Sequence, residues 1–284
     1  MPGIKVVILY PSKRVSDLQE KQLTTMGGNI TALEVKGNFD DCQRMVKEAF
    51  QDAEIRAQLE LTSANSINIA RLIPQMFYYF WAYAQLPKGT KEFVVSVPSG
   101  NFGNLTAGLM AKRMGLPVDR FVMATNANDV VPRYLASGTF TARDSKKTIS
   151  NAMDVGNPSN FARMLDLYGG KVTAMRKDIT AFSFTDKETK QLMRDFHTKH
   201  GYMLDPHGAV GCLGVQSHHK KHGAKGVCVF LETAHPAKFQ GTVEMTLGKK
   251  VKIPPQLKQY LQRTKKAHLV RNKFEDLKKF LLTS

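Results

Sequence analysis

Ser99-Gly100-Asn101-Phe102-Gly103-Asn104 is the stretch of this 284-residue chain best equipped for chemistry. It carries no acid, base or nucleophile of ordinary catalytic type. What it offers is bare backbone: Gly100 and Gly103 let amide N–H groups approach a ligand without a Cβ in the way. The apolar, β-branched run Phe93-Val94-Val95-Ser96-Val97 precedes it and Pro98 closes that run. From Leu105 the period turns helical, pairing Leu105 with Leu109 and Met110 with Met114. A strand, a glycine-rich loop and a helix N-terminus in that order place unpaired amides and the positive end of a helix against a phosphate. The spacing matches neither a Walker motif nor GxGxxG, and alone such a turn is more often plain turn chemistry. Two further loops of the same character follow strand-like runs: Asn126-Ala127-Asn128-Asp129 after Arg120–Thr125, and Thr233–Phe239 after Gly226–Glu232. Ligands of open α/β sheets sit at the carboxyl ends of the strands, so three polar loops there favour a phosphate site over the plain turn.

Other chemistry-bearing residues point to less. His218 and His222 have the i, i+4 spacing of a metal pair, but they lie in HHKKHG among lysines with no third carboxylate, which reads as a solvated helix end. His207, in Asp205-Pro206-His207-Gly208, reads as part of a helix start. Cys42, Cys212 and Cys228 have no metal spacing and cannot all pair, so buried reduced thiols are expected. No metal site is expected.

The elements that must position these loops read as an α/β fold. Ile4–Tyr10 and Asn29–Val35 are strands, each followed by a helix: Ser16–Gly27, with Ser16 as N-cap, and Phe39–Asp52. This βαβα opening calls for a parallel sheet with covering helices. Ile67–Leu86 is an aromatic-rich helix whose Phe77, Tyr78, Tyr79, Phe80, Trp81 and Tyr83 read as core. Helices follow at Val130–Ser137, Phe161–Tyr168, Asp186–Lys199 and His207–Lys220, and the C-terminus reads as helical and basic. The expected division is residues 1–60, the remainder of a small α/β domain, and residues 61–284, a large α/β domain with a helical C-terminus.

Hydrophobic content of 42% describes a globular chain, and no run of 18 apolar residues is present. The N-terminus lacks a cleavage pattern and reads as a strand, so the expected location is cytoplasmic. The formal charge of +17 invites a nucleic-acid reading. Eleven Lys and Arg against Glu275 and Asp276 put +9 of it in the last 37 residues. No zinc finger, helix-turn-helix or aromatic-interleaved strand pair accompanies them. The expectation is a solvated lysine-rich surface without specific nucleic-acid binding.

Seven segments together carry a resemblance: VVILYPSKRVSDLQEKQLTTMGGNI, LTSANSINIARL, VSVPSGNFGNLTAGLMAKRMGLP, ATNANDVVPRYL, SNAMDVGNPSNFARM, DPHGAVG and LETAHPAKF. In these, over nearly its whole length, the chain resembles threonine synthase, a pyridoxal-phosphate (PLP) lyase of the tryptophan-synthase-β fold type. The resemblance implies PLP fold type II: α/β, with parallel twisted sheets, flanking helices and the family's N-terminal part missing. It implies that Gly100, Asn101, Phe102, Gly103 and Asn104 cradle the cofactor phosphate through backbone amides. Thr233 would offer its hydroxyl to the pyridine nitrogen. Asn65, Ser66 and Arg71 would bind the phosphate of O-phosphohomoserine, which the family converts with water to threonine and inorganic phosphate. Read from the residues alone, Asn65 and Ser66 serve equally as an N-cap, Arg71 as an ion-pair partner and Thr233 as a helix cap. The family's Schiff-base lysine, in a motif like AFKD, has no counterpart here, so the catalytic lysine is unassigned; Lys238 in TAHPAKF is not that residue. The upstream loop that holds the substrate α-carboxylate is also missing. The expected protein is therefore incomplete alone: a truncated gene product, a decayed copy, or one half of a split gene whose partner is a separate N-terminal segment carrying the lysine. A sister lyase such as threonine dehydratase, or a non-catalytic fragment binding a partner or polyanion, are the alternatives.

Overall fold

A computed structural model describes residues 3–223 and 225–283. The chain opens with β1 (Val6–Pro11), α1 (Asp17–Thr24), β2 (Ile30–Lys36), α2 (Phe39–Gln51) and α3 (Ala53–Gln58). Ser16 caps α1 in a capping box with Gln19, and Asn38 caps α2 in the same way with Asp41. Each box satisfies amides that the first helical turn leaves orphaned. Next come α4 (Leu72–Ala84), β3 (Phe93–Pro98), α5 (Gly103–Arg113), β4 (Arg120–Thr125), α6 (Val130–Ser137), α7 (Phe161–Leu167), α8 (Val172–Asp178) and β5 (Ile179–Ser183). The chain continues through α9 (Asp186–His200), α10 (Pro206–His222), β6 (Val227–Phe230) and α11 (Gln240–Leu247), and it closes with α12 (Pro255–Leu261), β7 (His268–Arg271) and α13 (Phe274–Thr283).

These elements form two compact units. One comprises Met1–Thr62, Ala237–Gln240 and Lys250–Ser284; the other comprises Ser63–Pro236 and Gly241–Lys249. In the first, a parallel sheet of order β1-β2-β7 packs on α2, α3 and α13 around Leu33, Val35, Met45, Ile55 and Leu277. Residues 250–284 thus group with the first 62 residues and not with the large domain, where the sequence alone places them. The cause is β7, a four-residue strand that pairs with β2 and that a largely exposed HLVR run in a basic tail does not announce. Lysines of that tail pair with acids of the same unit: Lys265 with Glu20 and Glu34, Lys278 with Asp52 and Glu54.

The second unit holds a parallel sheet of order β5-β4-β3-β6. Its central strand β3 is buried along its whole length, as a strand covered on both faces must be. Leu105 and Leu109 of α5 join Phe93, Val95, Val97 and Phe121 in one apolar cluster, while α10 lies across β3 and β4. Full burial of a leucine such as Leu105 contributes about 2 kcal/mol. β5 was not anticipated: ITAFS is short, and two of its five residues are polar.

Four expectations need correction. The aromatic helix begins at Leu72 behind a 3-10 turn, Ile69–Arg71, with Pro74 tolerated in its first turn. Its aromatics are not all core: Tyr79 is buried, yet Phe77 and Trp81 are 63% and 70% exposed, and Tyr78 and Tyr83 are also open. His218 is buried, so the solvated helix end excludes it, whereas His222, whose ring lies beside it, is exposed as expected. Cys42 and Cys212 are buried free thiols, whereas Cys228 is only partly buried, with its sulfur 3.0 Å from His219 Nε2. No helix among the described residues is long and apolar enough to cross a membrane.

Candidate active site

The glycine-rich loop lies where β3 ends and α5 begins. Ser99 N donates to Ala124 O of the neighbouring strand β4, which fixes the loop's entry. Asn104 Nδ2 donates to Pro98 O across the turn, and the Tyr79 hydroxyl donates to Asn104 O. Phe102, buried at the N-cap of α5, has φ +62° and ψ +14°, a left-handed conformation that non-glycine residues rarely adopt. Such strain costs on the order of 1–3 kcal/mol and persists only where the surroundings enforce it. Here the buried ring and the Thr106 hydroxyl, donating to Phe102 O, hold it. Gly100 is demanded by space: a Cβ there would lie 2.5 Å from Met153 Cα.

The result is a run of unspent donors. No described residue accepts a hydrogen bond from the backbone amides of Gly100, Asn101, Phe102, Gly103 or Asn104. Five consecutive free amides at a helix N-terminus suit a dianionic phosphate, and they are the observation on which PLP fits this site.

Ser66 stands against this loop, accepting from Asn101 Nδ2 at 3.0 Å, and Asn65 Oδ1 accepts from the Ser66 amide and hydroxyl. Neither residue caps α4, whose N-cap is Arg71 without a side-chain bond, so the capping alternative fails. Arg71 is exposed and its guanidinium has no partner among the described residues, which leaves it free for an anion; no contact joins it to the loop. Thr233 follows β6, the strand hydrogen-bonded beside β3, so it belongs to the same edge of the sheet as the loop. It is exposed, and no described residue engages its hydroxyl.

The structure adds residues to which the sequence reading gave no role. Asn101 Oδ1 accepts from Ser159 N at 2.7 Å, and Asn160 Nδ2 donates to Asn101 O at 3.0 Å. Arg163 donates to Ser66 O, Ile67 O and Asn160 Oδ1, lacing the 65–67 turn to the loop's neighbour; burial lowers its pKa. Asp154, raised in pKa by burial, accepts from Asn126, Asn128 and Thr148. The only signal for these residues was the polar density of SNAMDVGNPSNFAR, which does not say what each polar atom meets. Among the described residues, no group of three or more His, Cys, Asp or Glu is arranged to hold a metal ion.

A loop of free amides at the end of a parallel strand is shared by many enzymes; the sequence relatives narrow it. The profile of the pyridoxal-phosphate dependent enzymes matches residues 1–233, and that of the threonine synthase C-terminal region matches residues 208–281. The chain belongs to the pyridoxal-phosphate-dependent enzyme family. It is similar to threonine synthase of Serratia marcescens, with 45% identity over 283 residues, 99% of this chain and 65% of the relative. Among solved structures, threonine synthase of Escherichia coli superposes with a TM-score of 0.93 at 44% identity, over 99% of this chain and 65% of that one. A PLP-bound threonine synthase from Brucella melitensis superposes with a TM-score of 0.83 at 35% identity, over 98% of this chain and 64% of its own. The chain therefore spans about two-thirds of the length of these relatives. Its fold is PLP fold type II, and PLP is the family's cofactor.

Proposed function

We propose that this chain is the larger part of a threonine synthase, a PLP lyase that makes threonine and phosphate from O-phosphohomoserine and water in the cytoplasm. The carrying observation is the run of five free amides at the end of β3, tied through Asn101 to Ser66 and the polar turn before α4. In this reading the amides of Gly100, Asn101, Phe102, Gly103 and Asn104 hold the cofactor phosphate. Thr233 presents its hydroxyl to the pyridine nitrogen; a neutral partner supports less positive charge there than a carboxylate and so tempers the electron demand of the ring. Asn65, Ser66 and the unpaired Arg71 receive the substrate phosphate, with Arg71 supplying the charge. PLP, when bound, supplies the electron sink for bond changes at the substrate's α and β carbons.

No AFKD motif occurs in these 284 residues, and the nearest string, Ala49-Phe50-Gln51-Asp52, has no lysine. The lysine that carries the cofactor is accordingly assigned to a segment corresponding to the part of the relatives that these 284 residues do not span. Co-expression with such a segment should give a visible cofactor band, removed by borohydride, and phosphate release from O-phosphohomoserine. The 284-residue chain alone should give neither. Turnover by the chain alone would refute this assignment, and mass spectrometry after reduction would locate the lysine within it.

A further inference from the structure

Outside the glycine-rich loop, the described residues of the second unit include a pair of carboxyl groups that nothing above uses. Asp205 is the N-cap of α10 and is fully buried. Its Oδ1 accepts from His207 N at 2.7 Å and lies 2.9 Å from His207 Nδ1, while its Oδ2 is buried without a hydrogen-bond partner. Glu232 follows β6 immediately before Thr233. Its Oε1 accepts from Asp205 N at 3.3 Å, and its Oε2 is likewise buried and unpartnered. The carboxyl rests on bare helix backbone, since a Cβ at Gly208 would collide with Oε2. No lysine or arginine among the described residues pairs with either acid.

Two adjacent carboxyl groups with buried oxygens and no lysine or arginine partner resist joint ionisation: desolvation and mutual repulsion each favour keeping one proton, and the His207 imidazole engages only Oδ1 of Asp205. We propose that Asp205 and Glu232 share a single proton, and that this carboxyl pair is a positioning device holding the end of β6, and with it Thr233, against the first turn of α10. Glu232 holds the proton. Burial, then the charge of Asp205, raise its pKa to about 8, and Asp205 Oδ1 is already engaged by the His207 amide. The other titratable groups around the pair are His207, Tyr202 and Cys212. Burial first, and then these acids, raise the pKa of Tyr202; burial and Glu232 push Cys212 up to about 11, so neither supplies positive charge. Loss of the shared proton leaves two adjacent buried anions, which drives the strand end away from the helix.

The link to Thr233 rests on the cofactor reading above, but the shared proton can be tested without any cofactor. A carboxyl whose pKa is higher folded than unfolded binds a proton on folding. Its stabilising effect is complete below the ordinary carboxylate value of 4.5 and is lost as pH rises to about 8. Thermal and denaturant unfolding of the full chain should therefore show a component of the folding constant that falls by about tenfold per pH unit across that window. Glu232→Gln, an isostere that is always neutral and can donate to Asp205, should remove this component and be more stable than wild type above pH 8. A variant less stable than wild type above pH 8, with the slope intact, would overturn the proposal by showing that Glu232 is an ordinary ionised carboxylate. Should the variant fail to fold, infrared titration of the wild-type chain decides. A protonated-carboxyl band that disappears near pH 8 supports the shared proton, and the absence of such a band overturns it. In the completed enzyme, cofactor retention should decline above pH 8 in wild type but not in Glu232→Gln. A flat profile there, beside a positive infrared titration, would refute only the link to Thr233.

Discussion

Gly100 and Gly103 look equivalent in the sequence, but their surroundings differ. At Gly100 an added methyl meets Met153 backbone, which cannot swing aside. Gly100→Ala should thus cost about 1–3 kcal/mol of stability, seen as a lower denaturation midpoint with an unchanged m-value. At Gly103 the nearest atoms to a Cβ are Ser66 Cβ at 3.3 Å, Leu72 Cδ2 at 3.4 Å and Asn160 Nδ2 at 3.5 Å, a tight but accommodating set. Gly103→Asp should fold and yet bring a carboxylate next to the free amides. If these amides hold the cofactor phosphate, PLP affinity of the completed enzyme should drop at least tenfold, about 1.4 kcal/mol. Unchanged PLP binding in a folded Gly103→Asp protein would remove the loop from the site.

At the scale of elements, the turn before α4 has no helix or strand of its own to hold it. Asn65 and Ser66 keep their place through Asn101 and through Arg163 on α7, which binds the carbonyls of Ser66 and Ile67. Arg163→Met keeps the aliphatic stem but leaves those acceptors unpaired, at a cost of about 1–3 kcal/mol. The 63–68 segment should then be cleaved faster by protease under native conditions. Arg163→Lys should rescue poorly, because an ammonium lacks the planar fork that serves three acceptors at once. Protease sensitivity equal to wild type in Arg163→Met would show that the turn is held by other means.

For the whole molecule, one exposed row of side chains is apolar. Ile69, Ile73, Phe77 and Trp81, spaced four apart, are each about half exposed or more. Exposed rows of this kind promote association, and the chain should sediment as oligomers at concentrations where Phe77→Lys/Trp81→Lys is monomeric. Trp81 is the only tryptophan of the chain, so its emission should shift to the blue wherever this face becomes covered. A wild-type chain that is monomeric at every concentration tested would remove the face from consideration. The basic C-terminal residues predict a separate behaviour. With Lys265 and Lys278 engaged by acids of their own unit, DNA binding should be weak, indifferent to sequence and abolished by moderate salt. Tight binding to one sequence at physiological salt would contradict this.

The strand, loop and helix of residues 93–113 were legible in the sequence because each rests on local rules: a β-branched run, a proline that ends it, glycines, then a helical period. So were the capped helix after Ser16, the parallel α/β class and, through the resemblance, the cofactor. Other features depend on what distant residues bring to one place. The aromatic helix is apolar around most of its circumference, so no periodicity reveals which side meets the core; Tyr79 is on that side because its ring packs on Phe121 and against Gly108, with its hydroxyl donating to Asn104 O. Arg163 becomes a clamp because α7 packs on α5 and brings it to a turn 97 residues earlier in the chain. Asp205 and Glu232 read separately as a helix cap and a strand end, and only the packing of α10 beside β6 makes them neighbours. Propensity and capping act over a few residues and are written in the chain. Burial, desolvation and the pairing of charges belong to the folded arrangement, because they depend on which surfaces close against each other.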